Sequence, residues 1–197
     1  MWWKMRQWLG QSVAAHAPSY ACVVLVMVAG LSAGTATARG LTEGVDPAWA
    51  LTELSARYAG GWTHFFSALW LTVRFFLLVF IGTLGWGGVL PIVLVTGLRG
   101  FFSGFGMGLM VCALGARGWL VTLTALLPCA VVAGIAHTVA AVPALDIALA
   151  NLRMGFRQRL GQKLSVYADS YLIMLAMALL TLAAAALEAG MVPLLLP

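Results

Sequence analysis

Two ionisable residues stand inside long apolar runs of this chain, and they are the first candidates for chemistry. Arg74 lies within Thr63–Leu84 and Glu188 near the end of Tyr171–Ala189, YLIMLAMALLTLAAAALEA. A charge held in hydrocarbon costs about 2.5–3.5 kcal/mol on insertion scales, so such a group faces a bundle interior, pairs or snorkels. Arg74 and Glu188 are expected to pair as buried charges; the alternative is that each reaches the interface separately. Nothing else in the chain suggests catalysis. There is no serine, histidine and acid arrangement in a polar segment, no GxxxxGK[ST], no HExxH and no close pair of carboxylates. His16 has no acidic neighbour in sequence and reads as a surface histidine, whereas His137, among alanines and valines, reads as a hydrogen-bonded core residue. Cys22, Cys112 and Cys129 lie in apolar runs, odd in number and without CxxC spacing, which argues against a disulfide framework and a zinc site. The expectation is a protein that is not an enzyme, with no catalytic, cofactor-binding or metal-binding residue.

The element that must position these groups is Pro91–Ala116, PIVLVTGLRGFFSGFGMGLMVCALGA. Its small residues Gly100, Gly104, Gly108, Cys112 and Ala116 recur every four positions, which on a helix places them along one face. Between helices in lipid there is little hydrophobic drive, so close approach across small residues holds them together. Gly100, Gly104 and Gly108 are therefore read as a helix-packing seam, seated against another helix of the chain or of a second copy in a homo-oligomer. A permeation groove is the sharper alternative. Arg99 is placed towards the cytoplasmic end, where a long side chain can snorkel.

Composition sets the surroundings. The chain is 62% hydrophobic and 9% charged, against about 25% charged in soluble domains, which makes it an integral membrane protein. The net charge of +5 is spread over the ends of apolar segments, as membrane orientation requires, and does not form a nucleic-acid patch. One domain over 1–197 is expected, an all-α multi-pass transmembrane bundle of about five spans. Residues 1–18, with Lys4, Arg6 and three tryptophans, form a cytoplasmic lead-in. Tyr20–Ala38 is the first span. Ala36-Thr37-Ala38 resembles a signal-peptidase site, but the apolar run fills a whole span, which favours an anchor.

Residues 39–62 form an extracytoplasmic loop carrying Glu43, Asp46 and Glu53, with a short amphipathic helix over WALTELSARYAGGW. The segments 86–96 and 119–127 are too short to span and read as broken, re-entrant pieces, the second ended by Pro128. Broken segments on either side of a central helix occur in transporters built from inverted repeats. Ala130–Ala150 spans again. Residues 151–168 contain Arg153, Arg157, Arg159 and Lys163 and mark a cytoplasmic loop. With the amino terminus inside and the acidic loop outside, the count is five crossings and an outer carboxyl terminus.

Leu98-Arg99-Gly100-Phe101-Phe102-Ser103-Gly104-Phe105-Gly106-Met107-Gly108 resembles the basic-Gly-xxx-Gly-Phe-xx-Gly helix of the stage II sporulation protein M family. Around it fall Val73-Arg74 before a Gly-rich break, Leu90-Pro91, Leu127-Pro128, and a closing Leu187-Glu188-Ala189 with Pro193, in that family's order. Where the family carries a polar residue after Leu-Pro, this chain has Cys129. The resemblance implies a multi-pass protein of the mother-cell septal membrane, needed for engulfment during endospore formation. Its partners would be stage II sporulation proteins D and P, which degrade septal peptidoglycan, besides the lipid bilayer. Two functions are thus expected to compete: a membrane scaffold for cell-wall hydrolases, and a small permease. The scaffold calls for a covered core; the permease calls for a polar path through the bundle.

Overall fold

The computed structural model describes residues 16–42, 52, 62–84, 87–154 and 168–195. The lead-in before His16, the amphipathic stretch of the outer loop and the basic residues 155–167 lie outside the described residues. Every described element is a helix: α1 (Ala17–Thr42), α2 (Trp62–Leu84), α3 (Val89–Leu114), α4 (Ala116–Val121), a π-helical turn (Thr122–Leu126), α5 (Leu127–Met154) and α6 (Ala168–Leu195). The architecture is an all-α multi-pass bundle. Among the described residues four stretches are long and apolar enough to cross a membrane: α1, α3, Ala116–Leu152 and Ala168–Glu188. The purely apolar part of α2, Thr72–Leu84, is shorter.

Large side chains face outward, as a lipid solvent requires. Leu25, Leu90 and Leu172 are 69%, 73% and 63% exposed, a surface that water would penalise heavily. Inside, one apolar cluster joins Val23 of α1, Phe75, Phe76 and Val79 of α2, Ile92 and Val95 of α3, the alanine-rich face of α5 and Met174 of α6. A second cluster gathers Ala38, Leu109, Met110, Val121, Ala125 and Leu126 around the α3–α4 turn.

The two segments read as broken pieces are parts of continuous helices. Pro91 stands in the first turn of α3, where its missing N–H would have had no intrahelical partner. It starts the helix there, and residues 89–96 continue into the glycine-bearing stretch without a break. Pro128 does not end a helix either. The backbone N–H of Leu127 bonds to the carbonyl of Thr122, so the turn ahead of the proline is widened to an i→i+5 repeat. That wide turn relieves the clash of the Pro128 ring with the carbonyl four residues earlier. The turn expected at Arg117-Gly118 lies at Gly115, whose φ of 55° and ψ of −125° suit glycine alone. At the start of the loop assigned to 39–62, α1 continues as helix to Thr42.

Contacts fix the direction of each helix. α1 and α3 run parallel, since Met27, Leu31 and Thr35 lie beside Gly100, Gly104 and Gly108 in that order. α2 returns against α3, with Gly82 beside Gly88 and Ile92. α5 runs against α1, with Ser19 bonded to Asp146 and Met27 beside Gly134. At one end Asn151 Nδ2 donates to the carbonyl of Thr83 (2.7 Å), and Thr83 Oγ1 lies 3.3 Å from the Tyr171 hydroxyl. The starts of α1, α3 and α6 and the ends of α2 and α5 therefore share one end of the bundle. Thr42 and the α3–α4 turn occupy the other, and the chain traverses the bundle three times between Thr42 and Ala168.

This alternation generates a labelling prediction. In a background with Cys22, Cys112 and Cys129 replaced by alanine, single cysteines at Gly44 and Gln158 are expected to react from opposite sides of the membrane. Reaction of both with a membrane-impermeant maleimide in intact cells would overturn the arrangement.

Candidate functional site

The glycine face of α3 meets the backbone of α1 directly. A Cβ added to Gly100 would collide with the Met27 carbonyl oxygen, and one on Gly104 with the Leu31 carbonyl oxygen. On Gly108 it would meet the Ala38 Cβ at 2.9 Å. The opposing side is built the same way: Gly30 faces the Gly97 carbonyl oxygen and Gly34 that of Phe101, with Phe105 N at 2.7 Å from an added Cβ. Glycines on both sides let two backbones approach until Cα–H groups touch carbonyl oxygens across the seam. The seam is thus internal to the chain, filled by α1, and needs no second copy. Cys112, the next member of the stripe, is exposed.

The sequence reading missed the partner of that stripe. Gly30 and Gly34 carried the spacing that marks it, in the middle of the first span. It also missed a second small-residue ladder. Ala136, Ala140, Ala144 and Ala148 of α5 are essentially fully buried and follow one another at steps of four residues. Small side chains at this spacing let α5 lie close in the bundle.

The structure does not bring Arg74 and Glu188 together. Arg74 is exposed, and its guanidinium lies over the Trp70 ring at 4.8 Å from the centroid, one turn back towards the start of α2. That is the snorkelling geometry, aided by cation–π attraction. Glu188 instead acts electrostatically on Arg99 and on Cys129. Arg99 is not at a helix end. It stands eleven residues into the 26-residue α3, half-buried, with its guanidinium 5.7 Å from the Phe75 centroid. The correction has a simple origin: the helix extends ten residues upstream of Arg99, so no short path leads its charge to that interface.

Arg99 belongs to a row of polar groups inside the bundle. His137 is completely buried, its Nε2 3.3 Å from Thr96 Oγ1, and it feels the Arg99 charge. Thr96 Oγ1 donates its one hydrogen to the carbonyl of Ile92 at 2.8 Å, which leaves it to accept from His137 Nε2. Phe76 packs edge-on against the imidazole, with centroids 5.8 Å apart. His137 Nδ1 and Thr122 Oγ1 are buried without a hydrogen-bond partner among the described residues. The neighbours of these polar groups are aromatic, Phe76 at the imidazole and Phe75 at the guanidinium.

A third polar group closes one end of the bundle. Asp146 accepts a hydrogen bond from Ser19 Oγ at Oδ1 (2.5 Å), and its Oδ2 lies 2.7 Å from His16 Nδ1. His16 thus has an acidic partner, brought by α5 from 130 positions away in sequence, which its neighbours in the chain could not disclose. Among the described residues no group of three or more histidine, cysteine or acidic side chains is placed to hold a metal ion. No protein-family model, curated protein or solved structure matches the chain.

The seam and the polar row each yield a mutational test. Gly104→Ala is expected to destabilise the folded protein by about 1–3 kcal/mol, because its Cβ meets backbone that cannot yield. Gly106, on the same helix, has nothing within 4 Å of an added Cβ. Gly106→Ala is expected to be neutral or to stabilise by up to about 1 kcal/mol through helix propensity. Thermal unfolding in detergent reads both, and equal effects would rule out the seam as the source. In a double-mutant cycle, Arg99→Gln and Glu188→Gln are expected to couple by about 0.5–3 kcal/mol, whereas Arg74→Gln and Glu188→Gln add. Additivity in the first pair would remove Arg99 from the row.

Proposed function

We propose that the chain is a non-enzymatic membrane scaffold, one that holds peptidoglycan-degrading enzymes at a septal membrane during engulfment, as the resemblance to stage II sporulation protein M implies. The observation that supports this most is the α1–α3 seam. Its glycines bring backbone against backbone through the middle of the bundle, so the centre is packed and the functional surfaces are the ends and the lipid-facing sides. On this reading the acidic stretch of the outer loop, with Glu43, Asp46 and Glu53, meets stage II sporulation proteins D and P, and the cell membrane of the mother cell is its location. The seam holds α1, the helix that leads into that loop, against α3.

A permease is the second reading, favoured by the row of Thr96, His137, Arg99 and Glu188. Intramembrane ionisable groups mark transport pathways more often than they mark packing. Against it stand the apolar walls of that row.

The two separate experimentally. The triple change Glu43→Gln, Asp46→Asn and Glu53→Gln is expected to leave membrane insertion intact, while recovery of the two hydrolases by pull-down falls several-fold and septal-wall removal stalls. Unchanged recovery at matched expression would count against the scaffold. Purified protein in sealed vesicles is expected to carry no proton or solute flux above that of empty vesicles; a flux abolished by His137→Ala would establish the permease instead.

A further inference from the structure

Arg74 leaves its charge on the lipid-facing side of the bundle. It is exposed, on a face of α2 that also carries Trp70, Leu78 and Ile81, exposed to 54%, 46% and 57%. At steps of four, four and three residues these side chains form one ridge along the helix. The opposite face, with Thr72, Phe75, Phe76, Val79 and Thr83, is buried in the bundle. Among the described residues Arg74 takes part in no ion pair. Of the described acids, Asp146 is held by His16 and Ser19, and Asp169 stands in the first turn of α6. Glu188 acts on Arg99 and Cys129.

The depth of the Arg74 charge decides what can answer it. Phe75, the next residue, meets the Phe102 ring at 6.3 Å between centroids, and Phe102 is the fourteenth residue of the 26-residue α3. About 18 Å of α3 therefore lies on either side of this level, more than the roughly 15 Å from the centre of a bilayer to the edge of its hydrocarbon. Snorkelling onto Trp70 moves the guanidinium by about one turn, roughly 5 Å. It stays roughly 10 Å short of the headgroups, where a lipid phosphate in its ordinary layer does not reach it. Trp70 offers a π face but no oxygen acceptor for the guanidinium N–H groups.

A carboxylate at the same depth supplies that acceptor and takes two N–H···O bonds at once. In hydrocarbon the backbone that carries it must satisfy its own polar groups, which requires a helix. We propose that the Trp70–Arg74–Leu78–Ile81 face of α2 is a docking surface for a transmembrane helix of another protein, one that carries an aspartate or glutamate near its midpoint. The carboxylate pairs with Arg74 on the side away from Trp70, and apolar side chains of the partner lie along Leu78 and Ile81. The pair gives the complex a depth and a register that apolar packing in lipid does not. This inference stands on α2 and is independent of whether the chain is a scaffold or a permease.

The test uses the full chain in phosphatidylcholine vesicles, with Cys22, Cys112 and Cys129 replaced by alanine and a donor dye on Gly87→Cys, an exposed position ahead of α3. The probes are acceptor-labelled leucine–alanine helices of about 24 residues, flanked by lysine, with glutamate or glutamine at the centre. Energy transfer is expected to show the glutamate helix bound about tenfold more tightly than the glutamine helix. Arg74→Gln and Arg74→Leu, both at an exposed side chain, are expected to remove that preference, and Arg117→Gln in α4 is expected to keep it. Equal binding of the two helices by the parent would overturn the docking surface. So would a preference that survives both Arg74 variants when they unfold at the parent's temperature. Transfer between donor- and acceptor-labelled copies of the chain itself, lost in Arg74→Gln, would overturn the occupant in favour of a second copy.

Discussion

Lipid gives two helices no reason to associate by hydrophobicity alone, because the tails are as apolar as the side chains. Everything in this bundle follows from how that absence is met. Along α1 and α3 it is met by removing side chains altogether: Gly30 and Gly34 on one helix, Gly100, Gly104 and Gly108 on the other. The backbones then approach until dispersion and weak Cα–H···O contacts accumulate over several turns. Glycine in a soluble helix interior costs roughly 1 kcal/mol relative to alanine. Here a methyl group at Gly100 or Gly104 would sit where a carbonyl oxygen of α1 stands. The parallel run of α1 beside α3 is in turn what leaves α2 and α5 as the antiparallel partners around them.

The polar groups are distributed with the same economy. Threonines in helices satisfy themselves on the preceding turn, as Thr96 does at Ile92 and Thr181 at Met177. What remains for inter-helix bonding is a small set at separate depths. Asn151, Thr83 and Tyr171 tie α5, α2 and α6 at one end, beside the Asp146 link to Ser19 and His16. Farther in, Thr96 meets His137. In a medium where unsatisfied polar groups are expensive, such links fix which helices are neighbours.

Proline shows why a local rule can mislead in a membrane. Pro91 and Pro128 both precede or follow short apolar fragments in sequence, and each suggests a break. Neither breaks a helix, for different reasons. Pro91 occupies a first turn that has no use for its N–H, and Pro128 is preceded by a π turn that makes room for its ring. Pro143 lies within α5 as well, without interrupting it.

Composition and spacing alone determined that this is a membrane-embedded, all-helical chain, because 62% hydrophobic residues and so few charges permit no other solvent. The i, i+4 glycines announced a helix face bare of side chains, since the period of the α-helix is a property of the backbone. Which helix fills that face is not a local property, and only the tertiary structure decided it in favour of α1. The same holds for charge. Sequence shows that Arg74, Arg99 and Glu188 lie in apolar runs, but not where helices begin or how they are rotated about their axes. Those rotations turn Arg74 outwards onto Trp70, set Arg99 over Phe75, and bring Asp146 to His16. A partner across a bundle is chosen by packing, and packing is written in no single stretch of chain.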